Sequence, residues 1–407
     1  MMKTEEKTKN INEEPKWLKE KRQLAWERHQ GESLPDRVAH LWKYSDPNWF
    51  EINTDNYSNK TSNLNSFTAN LNLDTEAINK GAILCKLSDA LSNKTINHHI
   101  ETNLGNLTNQ HQNRLSLLNE SLWSDGYCLY VPKGIKVNKP IISKLALSPT
   151  SQNEIIRILI IMEEDSSASL IEEVTSNEGT PHITNIVTEV FLKKNAKLDY
   201  LNLQTQNKSA THHVYQRALL NDNAKLVSLI VSLGGKISKL DLGATLNGDN
   251  ANISTYGIVL GDGIQRFDHH TTIEHVAPHT KSELDFRVAL KDKARSAYTG
   301  NLKINHSAAK SSAHQENRNL LLSNEAKAES IPELEILTND VVKCNHGVTV
   351  GQVDKDQIYY LMSRGLNEKE AERLIIEGFL EPTISRIPDE HQKEEIQSQV
   401  KVKLESL

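Results

Sequence analysis

A chain of 407 residues with 37% hydrophobic and 25% charged residues is long enough to bury a substantial core and lies outside the composition of disordered chains. Its formal net charge of -6 gives no basic footprint for nucleic acid, and no segment reaches the ~20 apolar residues that a membrane span requires. Cys85, Cys128 and Cys344 are odd in number and far apart, which fits reduced thiols, and the charged start lacks an apolar leader; both features predict a cytoplasmic protein.

Residues 1–135 read as an N-terminal helical and mixed region. Trp17, Trp26, Trp42 and Trp49 cluster in its first part, where one charged helix precedes a Pro-punctuated segment, and such clustering predicts local packing. From Asn53 to Leu73, Asn, Ser and Thr dominate and predict a linker or long loop. "KGAILCKLSDAL" (80–91) predicts a strand running into a helical turn, and "DGYCLYVPKGIKVNKPI" (125–141) predicts strands joined by turns. Cys85 and Cys128 lie in these apolar runs and read as small buried core thiols.

Residues 136–353 carry a recurring phrase: "DSSASLIEEV" around Ala168, "KKNAKLDYL" around Ala196, "NDNAKLVSL" around Ala224 and "GDNANISTY" around Ala251. The spacings are 28, 28 and 27 residues, and looser echoes follow at Ala294 and Ala326. Near-constant spacing with a polar turn before each strand-like run is the mark of a solenoid. The runs "ITNIVTEVFL", "KLVSLIVSL" and "ISTYGIVL" are rich in Val, Ile, Thr and Tyr, with Gly and Asn in the breaks, so the repeating unit is a strand. A mainly β fold with a parallel β-helix core is expected, its side chains alternating between packed interior and solvent, over the alternative of a two-sheet sandwich, which would not explain the fixed spacing.

Residues 354–407 change to helical grammar. Asp354 with Gln357 predicts a capping box opening one short helix that stops at Gly365, and Asn367 with Glu370 caps a second that ends near Gly378 and Pro382. Ile358, Tyr359, Leu361 and Met362 load the first helix, while Leu374, Ile375, Gly378 and Phe379 give the second an apolar stripe. A last amphipathic helix can carry Ile396, Val400, Leu404 and Leu407 on one face.

Phosphate-loop and dinucleotide fingerprints are absent; the segment Gly261-Asp262-Gly263 is a turn, and Ile230 stands where a phosphate loop ending at Gly235-Lys236 needs its first glycine. In "RFDHHTTIEHVAPH" strand alternation puts His269 and His275 on one face and His270 and Glu274 on the other, with Pro278 interrupting before His279. Neither face assembles three ligands, so packed or surface histidines are expected there, as for His212, His213, His306 and His314.

Cys344 and His346 in "DVVKCNHGVTVGQVD" share one strand face, about 6.5 Å apart along the chain. As nucleophile and base they lack an oxyanion loop; as core residues they need no explanation. As a metal site they are half built, because a thiolate and an imidazole suit iron, zinc or an iron-sulfur unit but closure takes about four ligands.

From "GYCLYVPKGIKVNKPI" through "FDHHTTIEHVAPHTKS", "ARSAYTGNLKI", "HQENRNLLLSNEAKAESIPELEI" and "DVVKCNHGVTVGQVDKDQIYYLMSRGLNEKEAERLIIEGFLEP", the sequence resembles the SufB/SufD family of iron-sulfur cluster assembly scaffolds over about its last two thirds. "KCNHG" and the early "HLWKYSDP" resemble the SufD branch, and no cysteine lies between Cys128 and Cys344, where SufB chains carry functional ones. The resemblance implies a right-handed parallel β-helix and pairing with a SufB-like subunit through the C-terminal end of that helix. It also implies docking of a SufC-like ABC ATPase on the helical tail. The ATPase surface would comprise Ile358, Tyr359, Leu361, Met362, Arg364, Gly365, Leu374, Ile375 and Phe379. Cys344 and His346 would supply ligands at the subunit junction to a nascent iron-sulfur cluster or its iron, held transiently and shared with SufB. No cluster would be tightly bound by the isolated chain, which would be non-catalytic; a homodimer in isolation stays open.

The alternative is a β-helical enzyme, such as a carbohydrate-active one. It would need clustered Asp or Glu along one solenoid face, and the repeat positions are mostly Lys, Asn, Thr and Ser.

Overall fold

The computed structural model describes residues 14–37, 40–54, 67–109, 113–147, 153–177, 179 and 181–406. Eighteen strands form two 9-stranded sheets whose members alternate along the chain from β3 onward, giving a β-solenoid of about 8 turns. Sheet A holds β1 (Phe67–Asn72), β4 (Ile141–Leu147), β6 (Ser167–Ser176), β8 (Lys197–Gln204), β10 (Lys225–Ser232), β12 (Asn252–Gly261), β14 (Lys281–Leu290), β16 (Ser311–Leu321) and β18 (Val341–Gln352). Sheet B holds β2 (Ile83–Lys86), β3 (Asp125–Val131), β5 (Asn153–Met162), β7 (Ile183–Leu192), β9 (Thr211–Leu220), β11 (Ile237–Leu246), β13 (Arg266–His275), β15 (Arg295–Ile304) and β17 (Lys327–Ile336). Pairing is parallel from β3 and β4 onward, while β1 and β2 pair antiparallel and close the first end.

The repeated phrase marks one corner of the solenoid. Asn195, Asn223 and Asn250 take φ of 58°, 55° and 57°, the left-handed turn that Asn tolerates, and deliver a fully buried Ala196, Ala224 and Ala251 into the interior. The corner groups stack as a ladder: Lys225 N donates to Ala196 O at 2.8 Å, Asn252 N to Ala224 O at 2.9 Å and Lys281 N to Ala251 O at 3.0 Å. The first corner residue is Ser166, not Ala168. Ser167 pairs with Lys197, and the Ser166 hydroxyl donates to Glu163 O at 2.6 Å, so a small polar residue fills the place of alanine. Ala294 and Ala326 belong to the opposite corner, ahead of β15 and β17 in sheet B.

Strict alternation between interior and solvent does not occur along most strands. β5 and β7 are buried at nine of their ten positions because the N-terminal helices cover the outer face of sheet B. The helices before β5 are α1 (Lys16–Gly31), α2 (Thr75–Asn79), α3 (Leu87–Ser92), α4 (Asn97–Asn103) and α5 (Arg114–Leu122); Ala77 of α2 packs into the interior, while Leu18, Ile100, Leu118 and Trp123 pack on Ile155, Leu159 and Phe191 of sheet B. Asp46 caps a short 3-10 helix, Pro47–Phe50, in the tryptophan-rich segment. There Trp42 is buried and stacks on His213 with ring centroids 6.1 Å apart, so the clustered tryptophans serve packing. The linker expected from Asn53 to Leu73 contains β1, and residues 55–66 lie outside the described residues, as does the start of the charged N-terminal segment, 1–13.

After β18 come α6 (Lys355–Ser363), α7 (Glu368–Ile384) and α8 (Glu390–Glu405). Asp354 caps α6 through Asp356 N without a box, Gly365 takes a φ of 102° after it, and Asn367 with Glu370 forms the full capping box of α7. α7 does not stop near Gly378 and Pro382. It continues to Ile384 because Leu380 and Ile384 bury on sheet A and the Thr383 hydroxyl donates to Asp285 at 3.0 Å. The apolar stripe of α8 is likewise covered by its own solenoid: Ile396, Val400 and Leu404 pack with Leu201, Leu229 and Ile258. Leu407 lies outside the described residues.

His269 and His275 face the interior and His270 faces out, as alternation predicts; His279 sits in a corner turn at φ 57°. Burial holds His212 and His213 down to about 3, and His269 and His275 to about 4. Such lowered groups stabilise the fold above the ordinary histidine value and withdraw that stability as pH falls below about 6.5. Burial acts oppositely on Glu172, raised to about 7 inside the solenoid, and on Asp199, raised to about 6, which favour the fold at lower pH. Four histidines outweigh two carboxyls, so between pH 6 and pH 4.5 stability should fall by up to about 3 kcal/mol per pH unit. Chemical denaturation at stepped pH checks this; a flat profile across that window contradicts it.

Candidate functional site at the end of the solenoid

Sheet A ends in β18 and sheet B in β17, so both final strands leave a backbone edge unpaired among the described residues. β18 follows β16 in register, with Cys344 beside Ala313, Asn345 beside His314 and His346 beside Gln315. Ala313 belongs to the interior cluster and Cys344 packs partly against it, so Cys344 and His346 continue the inward row of sheet A at its open end. Burial raises the Cys344 thiol above its ordinary value, while His346 is exposed. His314 sits on the opposite face, Nδ1 3.0 Å from Asn345 Oδ1, and does not join the pair. Among the described residues no group of three or more His, Cys, Asp or Glu is placed to hold a metal ion.

The inward row holds polar residues that sequence reading missed. Gln315 is fully buried over Gly300, and neither of its amide atoms has a hydrogen-bond partner within the chain. Asn319 Nδ2 donates to Asn317 Oδ1 at 2.8 Å and to Thr349 O at 3.1 Å, and the Ser330 hydroxyl of β17 donates to Asn317 Oδ1. The run of inward amides was visible as "HQENRN", whose alternate residues are Gln315, Asn317 and Asn319. Around this end the apolar side chains Val342 (70% exposed), Val348, Val350, Ile336 and Leu337 face solvent.

The second candidate surface is the α6–α7 hairpin. α6 buries no residue, and Tyr359 (74% exposed), Tyr360, Met362 and Leu374 (47% exposed) project from the hairpin. Arg364 and Gly365 are exposed, while Ile358, Leu361 and Ile375 are half-buried. Phe379 is engaged within the chain: it packs on the sheet A cluster, the Arg287 guanidinium lies 5.6 Å from its ring, and Arg287 Nη1 donates to Phe379 O at 2.7 Å. Tyr360, with Arg364 over its ring at 5.2 Å, extends the surface beyond the residues expected from sequence.

Residues 146–379 match the family model of the SUF system FeS cluster assembly SufBD core domain, and residues 50–142 match that of the SufBD protein N-terminal region. The chain belongs to the SufB/SufD family. It is 31% identical to the iron-sulfur cluster assembly protein SufD of Bacillus subtilis over 72% of this chain and 67% of that protein. Identity to SufB of the same organism is 29% over 69% of this chain and 60% of that protein, and a SufBD family protein of Staphylococcus saprophyticus gives 30% over the same shares. The chain thus spans about 60% of the length of several curated relatives it matches. A SUF family member with a β-solenoid core and, among its described residues, no helix long and apolar enough to cross a membrane is consistent across fold and sequence.

Proposed function

We propose that this chain is a SufD-like, non-catalytic scaffold subunit of an iron-sulfur cluster assembly complex, working in the cytoplasm. In this reading residues 1–135 form the N-terminal region, 136–353 the β-helix core and 354–407 the ATPase-docking region. The observation that carries it is the end of the solenoid, where two strand edges unpaired among the described residues, exposed aliphatic residues and the Cys344–His346 pair coincide. A SufB-like chain would continue both sheets there by strand pairing and cover Val342, Val348 and Val350. Cys344 and His346 would then provide about half of the ligands of a nascent cluster or its iron, the cargo, with SufB providing the rest. The absence of a phosphate loop agrees with ATP hydrolysis by a separate SufC-like subunit docked on the α6–α7 hairpin.

Co-expression with SufB-like and SufC-like subunits tests the reading: the chain should co-purify with both, and failure to capture either would sink it. The double variant Cys344→Ala/His346→Ala should leave that assembly intact. Loss of two of about four ligands should lower the iron and acid-labile sulfide of the reconstituted complex by roughly half or more. Unchanged iron content would return both residues to a packing role.

A further inference from the structure

Two of the three cysteines face each other at the other end of the molecule, and the scaffold reading gives them no task. β2 and β3 run antiparallel, and their register sets Cys85 directly opposite Cys128. Opposed residues of an antiparallel pair have Cα atoms about 4.5–5.5 Å apart, inside the roughly 4.4–6.8 Å range that a disulfide bridges without backbone movement. Their side chains share a face. Tyr127 and Leu129, on either side of Cys128, belong to the solenoid interior, whereas Cys128 and Cys85 pack with Ile155, Leu159 and Leu87 under the N-terminal helices. Cys128 is fully buried and Cys85 half-buried, so one thiol is open to a small reagent and the other waits behind it.

We propose that Cys85 and Cys128 form a reversible oxidisable pair, closing to an intrachain disulfide when a hydroperoxide reaches Cys85. The Cys85 thiolate attacks the outer oxygen of the hydroperoxide, the O–O bond breaks, and the released oxide leaves as water or alcohol, leaving a sulfenic acid on Cys85. Cys128 sulfur then attacks the Cys85 sulfur, the S–S bond forms as S–O breaks, and hydroxide departs with the Cys128 proton as water. Two thiols lose two electrons, and one hydroperoxide gains them. Burial pushes the Cys85 thiol up to about 11, the carboxylates of Asp89 and Asp125 add to this, and burial pushes Cys128 up as well. The thiolate fraction is therefore small, and the pair responds to sustained oxidant, not to brief exposure.

The bond has a structural consequence. It would tie β2, the strand that ends sheet B, to β3, and close the chain segment from Lys86 to Tyr127 that carries α3, α4 and α5. A cross-link across a long segment restricts the unfolded chain most, so the oxidised form should be the more stable one. Cys344 lies at the far end of the stack, on β18, and takes no part.

The test uses the full chain, purified reduced and exposed to hydrogen peroxide, then denatured for thiol counting. Reactive thiols should fall from three to one, a peptide cross-linked through Cys85 and Cys128 should appear by mass spectrometry, the melting temperature should rise by several degrees, and dithiothreitol should reverse all three. Cys85→Ala should keep both remaining thiols and show no shift, while Cys344→Ala should lose both of its own. Persistence of three thiols, cross-links through Cys344 between chains, or Cys85 over-oxidised without a bond to Cys128 would each overturn the proposal.

Discussion

Arg157→Ala is expected to cost about 3–5 kcal/mol of folding stability, because it breaks a buried ion pair and strands the partner charge. Arg157 Nη2 lies 2.6 Å from Glu189 Oε2, and both side chains are essentially sealed from solvent beneath α5. The Glu189 carboxylate also accepts from Gly105 N at 2.6 Å and Leu107 N at 2.8 Å, so it pins the loop after α4 to the solenoid. Arg157 reaches further, to the Thr108 hydroxyl at 3.2 Å. Without the guanidinium the buried Glu189 carboxylate keeps its two backbone donors but loses its charge partner, which weakens the hold of the helical cover on the solenoid. Adding Glu189→Gln should recover part of the loss, since the amide oxygen still accepts from a backbone donor and no charge is left behind. Denaturant midpoints and slopes measure this directly; a loss under about 1 kcal/mol would mean the pair is open to water.

If the α6–α7 hairpin docks a SufC-like ATPase as proposed, Tyr359→Ser with Leu374→Ser is expected to abolish that docking while leaving the fold untouched. Both side chains are exposed, so their removal from the free chain costs little. Two large apolar anchors at the centre of an interface contribute on the order of 2 kcal/mol each, or about 30-fold in affinity apiece. Leu380→Ala, one face away on the same helix, should do the reverse. It is fully buried against sheet A and should lose about 2–5 kcal/mol of stability with docking impaired only through unfolding. Pull-down and titration calorimetry with the ATPase, beside thermal melts, separate the two outcomes. Wild-type affinity in the double serine variant would remove the hairpin from the docking model.

The corner alanines make the solenoid readable in the sequence. Ala196, Ala224 and Ala251 recur because each turn must pass a left-handed Asn and then bury a small side chain, a constraint local to four residues. Ser166 broke the pattern because a hydroxyl can satisfy the same corner by bonding to the turn. What covers the sheets was not legible in the same way. Ile396, Val400 and Leu404 form a helical stripe whether a partner or the chain's own sheet receives them, and only tertiary placement decides. Pro382 read as a stop for the same reason: its missing donor faces outward, and the burial of Leu380 and Ile384 on the other side outweighs it. Cys344 and His346 were legible as a pair with shared facing, and their place on the terminal strand followed from the end of the repeat. The buried amides of Gln315 and Asn317 beside them were overlooked because polar residues in a strand normally read as the solvent face.

The end with two unpaired edges also sets how the molecule moves. A stack of turns is quasi-one-dimensional, each turn held by its neighbours, so opening begins where a neighbour is missing. The first end has antiparallel strands closing it and helices over it; the last turn has neither, and its strands β17 and β18 bury little. Amide hydrogens in β17 and β18 should exchange at the lowest opening free energy in the solenoid, with protection rising toward β9 and β11. Fraying of a single turn would bare the half-buried Cys344 beside the already exposed His346 and leave the rest of the stack folded, so access to the pair is uncoupled from global stability.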